Sequence, residues 1–117
     1  MRNGLRTFTG VSAANTAKTH TVTLPKVHAT SGAYREIRIH SLTVSTGGGD
    51  LSADCTISVQ DNASEVWKTE LRSGKVFGGN FNFGDYPIVI RNGDLTIVTD
   101  AGGANVIVTI SAVYSVM

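Results

Sequence analysis

The chain reads as an all-β domain, a two-sheet antiparallel β-sandwich, and three observations carry that reading. β-rich runs with period-two alternation recur between turn residues. In the last of them Val106, Val108, Ile110, Ala112 and Tyr114 share one face, with Thr109 and Ser111 on the other and Ile107 and Val113 as exceptions. No stretch shows helical periodicity. Charged residues make up only 16% of the chain and hydrophobic residues 41%, with 13 glycines among many Thr, Ser and Val; that balance suits stacked sheets better than a helical bundle or a disordered chain. A length of 117 residues fits one domain with an independent core. Turn signals at sandwich-like spacing predict about eight strands.

The chain divides into an extended N-terminal arm over residues 1–17 and a sandwich over 18–117. The arm is polar and small, with room for a short strand over 5–9. Leu5 and Phe8 are its large apolar groups, Arg2 and Arg6 its charges. Those four residues are the arm's candidate partner contacts, since an extended segment can add to the edge of another sheet. A frayed terminus is the alternative. Residues 18–24 alternate Thr with His20, Val22 and Leu24 up to Pro25. Residues 34–45 form a long strand in which Ile37 and Ile39 have one parity, Leu42 and Val44 the other; a fixed inner face requires a bulge near His40-Ser41. Strands follow over 51–60 and 64–71. Residues 75–86 mix Phe77, Phe81 and Phe83 with glycine and asparagine, and fit either aromatics closing one end of the core or an exposed interface or sugar-stacking patch. Farther on, 87–90, 95–99 and 106–114 are three strands parted by Asn92-Gly93, which predicts a tight type I′ hairpin, and by Asp100-Ala101-Gly102-Gly103.

No constellation predicts catalysis or a cofactor. His20, His28 and His40 lack metal-pair spacing, and the aspartates fall mostly at turns, where the side chain satisfies backbone donors. The glycines of 47–49 precede no Lys-Ser/Thr, so they make no phosphate loop. Cys55, the lone cysteine, is in phase with Leu51, Ala53, Ile57 and Val59 and reads as a buried thiol. A net charge of +1 gives no electrostatic case for nucleic acid or a membrane surface. The start holds no signal-like apolar run, and no stretch approaches a membrane span, which predicts folding in a cytosol.

The succession Thr21-Val22-Thr23-Leu24-Pro25, Ile37-Arg38-Ile39 through Ser45, Thr56 through Asp61, Val66-Trp67, Phe83 through Pro87, Leu95-Thr96-Ile97 and Val108 through Tyr114 resembles small phage virion proteins with a jelly-roll-like sandwich, the kind that decorate or cement capsids. The resemblance implies a non-enzymatic structural role on the virion surface, contact with the major capsid protein, and self-association, often as a trimer. It transfers no catalytic residue. Two other classes fit the residues: a tail or fibre component, and a carbohydrate-binding sandwich presenting Trp67 or Tyr86.

Overall fold

Backbone pairing in the computed structural model, described here for residues 5–22 and 36–116, joins nine strands into two antiparallel sheets. They are β1 (Arg6–Val11), β2 (Lys18–Val22), β3 (Ile37–Gly47), β4 (Cys55–Asp61), β5 (Ser64–Leu71), β6 (Gly78–Asn82), β7 (Ile88–Ile90), β8 (Leu95–Thr99) and β9 (Ile107–Val116). One sheet has the order β1-β9-β3-β6, with short β7 continuing the β6 edge along β3; the other has the order β2-β8-β4-β5. Setting β7 aside, eight strands divide four and four, and the first lies beside the last in one sheet. This is the jelly-roll arrangement of two packed sheets.

Strand parity explains the core. Ile37, Ile39, Leu42 and Val44 of β3 and Val108 and Ile110 of β9 meet Ile57 and Val59 of β4 and Leu95 and Ile97 of β8; all are at most 1% exposed. The parity conflict in β3 is resolved by a register shift between Ile39 and Ser41. The extra residue, His40, takes its carbonyl out of the β9 ladder and accepts from Phe83 N at 3.0 Å. Strand parity also points Val22, Leu24, Ile88, Ile90 and Val106 inward: Val106 and Ile90 are buried, Val22 and Ile88 are half-buried, and Leu24 lies outside the described residues.

Two expectations need correction. Asn92-Gly93 does not close a hairpin: β7 pairs β3 in one sheet and β8 pairs β2 and β4 in the other, so the chain crosses between sheets there. Neither residue has a positive φ. The local signal was overridden by the Asp61 carboxylate, which accepts from Arg91 N at 3.2 Å, Asn92 N at 3.0 Å and Asn92 Nδ2 at 3.0 Å. The two-residue turn with both φ positive is instead Asn62-Ala63 (50° and 70°), which joins β4 to β5.

The second correction concerns the arm. Arg6–Val11 pairs over six residues with β9 of its own domain. Beyond it, Ser12 N donates to Val108 O, Ser12 Oγ accepts from Val108 N and Asn15 N donates to Val106 O, each at 2.9 Å. The segment is short of large apolar groups because an edge strand needs few: Phe8 alone brings a large apolar side chain to the core.

Candidate functional site

The two open sides of the sandwich are closed differently. On the β5–β6 side, Trp67 of β5 meets Phe81 edge-on with ring centroids 5.2 Å apart and Phe83 at 5.5 Å, and Phe77 stacks on Phe81 at 6.3 Å. Phe77 is held in place by Thr46, whose Oγ1 accepts from Phe77 N at 2.7 Å and whose N donates to Phe77 O at 2.8 Å. The four rings bridge the two sheets and pack on the core. Phe77, Phe81 and Phe83 are half-buried, with part of each ring packed on the core. A shallow groove of about 520 Å³ runs past Phe77, lined by Glu70, Arg72, Lys75 and Val76. Its Arg72 guanidinium is already paired with Asp54 at 3.2 Å and Glu70 at 2.6 Å.

On the β1–β2 side, Phe8 meets His20 edge-on at 6.1 Å. His20 is 5% exposed and its Nε2 has no hydrogen-bond partner among the described residues. Residue 10 is glycine because the imidazole occupies the space a Cβ would need: His20 Nδ1 lies 2.4 Å from that position. Burial, with Lys18 as the second cause, lowers the His20 pKa below 6.5. Cys55 is also buried; its thiol donates to Asp100 O at 3.2 Å, and burial raises its pKa. Among the described residues no three His, Cys, Asp or Glu side chains gather as a metal cluster would.

Part of the outward face of the first sheet carries hydroxyls and amides in place of ions. Register puts Thr7 and Thr9 of β1, Ser111 of β9, Thr43 of β3 and Asn80 of β6 on one face of the first sheet. Asn80 Nδ2 donates to Thr43 Oγ1 at 2.7 Å and Thr9 Oγ1 to Ser111 Oγ at 3.4 Å. From Ser41 to Gly47 and across to β1, this face holds no charged side chain. Nothing in the sequence announced it as a unit, because its residues come from four distant segments and join only through the register.

Of the residues expected to touch a partner, Arg2 lies outside the described ones. Leu5 is 69% exposed, Arg6 is exposed at the start of β1, and Phe8 is half-buried against the core. Phe77, Phe81 and Phe83 come together, half-buried, in the aromatic cluster around Trp67. Tyr86 is 88% exposed and Trp67 is half-buried, which separates the two proposed sugar platforms. No known family model matches the chain, and no curated protein matches it in sequence.

Proposed function

We propose that the protein is a non-enzymatic structural component of a phage particle, one that binds the outside of the capsid, contacts the major capsid protein, and decorates or stabilises the shell as a homo-oligomer. The observation that carries the reading is the uncharged outer face of the first sheet on a jelly-roll frame. Capsid domains are among the established uses of that architecture. A face of Thr, Ser and Asn with Val11, Val113 and Ile107 among them can lie on another protein surface without stripping water from ions, a step that costs several kcal/mol per ion in a dry contact. Its hydroxyls can still exchange hydrogen bonds with the partner or with trapped water. The test is co-sedimentation with purified capsids. Thr43→Glu and Ser111→Glu, outward substitutions that leave the core alone, should weaken binding at least tenfold with little change in melting temperature. Equal binding by these variants and the wild type would refute the contact.

A carbohydrate-binding module is the second reading, and the exposed ring of Tyr86 favours it. Retention on immobilised glycans that Tyr86→Ala abolishes, with capsid binding absent, would select it.

A further inference from the structure

The four lateral edges of the sandwich are not equally protected. β5 carries Glu65, Lys68 and Glu70 and pairs with a register shift. The edge made by β6 and β7 is split into strands of five and three residues. β2 begins with Lys18. β1, like β2, has only a cation at its first residue: six residues, no proline, no carboxylate, unbroken register, and Arg6 at one end. Among the described residues nothing pairs with its outer edge.

Which backbone groups face outward follows from one bond. Ser12 N donates to Val108 O, so residues 12 and 108 form a hydrogen-bonded pair in a register where partner numbers sum to 120. Such pairs alternate along an antiparallel ladder. Gly10, Phe8 and Arg6 therefore turn their N–H and C=O toward β9, and Thr7, Thr9 and Val11 turn theirs outward. Two strands away the same alternation places Thr46 N on Phe77 O.

We propose that β1 pairs antiparallel with β1 of a second copy of this chain, about a two-fold axis through Thr9. The outward set is self-complementary: Thr9 meets Thr9, and Thr7 meets Val11, so all three outward residues exchange both backbone hydrogen bonds and none is left over. In that register Phe8 of one copy lies opposite Gly10 of the other, on the inner face. Neither position needs to move for this, since His20 already covers Gly10 within each copy. On the outer face only β-branched side chains meet, and Val11, 54% exposed, gains a neighbour. The single cation is no obstacle, because the two-fold separates the two Arg6 residues to opposite ends of the junction. The axis stands perpendicular to the sheet, so the uncharged outer faces of both copies lie on one side as a single eight-stranded surface. This contact rests on the edge geometry and stands apart from the capsid reading.

The test uses the full chain without particles, so its outcome does not depend on capsid binding. Sedimentation equilibrium should give twice the chain mass for wild type. Thr9→Pro removes an outward donor and leaves the inward ladder intact; it should give a folded monomer. Thr9→Lys, which places two cations at the axis, should weaken dimerisation at least tenfold and serves if the proline variant does not fold. Thr9→Cys should crosslink between copies under mild oxidation, because directly opposed Cα atoms of a hydrogen-bonded pair lie about 5.5 Å apart, within disulfide reach. Thr7→Cys should not, since its copies sit roughly 14 Å apart along the strands. A wild type that is monomeric at high concentration, a Thr9→Lys variant that dimerises as well as wild type, or a Thr7→Cys variant that crosslinks as readily as Thr9→Cys would overturn the proposal.

Discussion

Truncating Trp67 to alanine separates a structural role for the aromatic cluster from a binding role. The indole makes two edge-to-face contacts, to Phe81 at 5.2 Å and Phe83 at 5.5 Å. Each contributes about 0.5–1.5 kcal/mol beyond area burial. The half-buried ring removes roughly 100 Å² of apolar surface from water, worth about 2.5 kcal/mol at 25 cal/mol/Å². The expected loss is therefore about 3.5–5.5 kcal/mol, at the upper end of buried aromatic truncations. For a domain of this length each kcal/mol moves the melting temperature by about 4 °C, which gives a fall of about 14–22 °C. The assay is thermal denaturation followed by far-ultraviolet circular dichroism, since Trp67 is the chain's one tryptophan and its fluorescence disappears with it. Val66→Ala, at a neighbouring position 46% exposed, is the control and should change stability by no more than about 0.5 kcal/mol. A Trp67→Ala melting temperature within about 2 °C of wild type would refute the core-closing role and return the aromatics to the surface.

Two further outcomes follow from buried polar groups. Asp61, 6% exposed, accepts three hydrogen bonds from Arg91 and Asn92, so Asp61→Ala should cost about 2–4 kcal/mol in urea denaturation, with Asp61→Asn losing less because one acceptor oxygen survives. For His20, burial and then Lys18 hold the folded pKa below 6.5, the ordinary value that the unfolded chain keeps. Below about pH 6.5 the unfolded state therefore binds more protons than the folded one, and stability present above that pH falls on acidification until the folded pKa is passed. Melting temperatures measured between pH 7.5 and 5 should fall more steeply for wild type than for His20→Phe. Parallel profiles would show that the imidazole is not the titrating group.

The all-β class, the inner faces of β3, β4, β8 and β9, and the bulge at His40 were legible in the sequence, because alternation and parity are local properties of a strand with one buried side. Pairing was not legible. Asn92-Gly93 has the residues of a hairpin turn, yet the chain there passes between sheets, because the Asp61 carboxylate from β4 takes up its backbone donors. Residues 1–17 read as an extended arm with room for a short strand over 5–9, with Leu5 and Phe8 as its large apolar groups; the β9 ladder and the seat against His20 make Arg6–Val11 an edge of the domain. The same holds for function. Individual Thr, Ser and Asn residues mean little one at a time, and the register alone brings four distant segments together as one uncharged face. What a strand is can be read from its own residues. What it lies beside depends on long-range hydrogen bonds, and those exist only once the two sheets have closed on their common core.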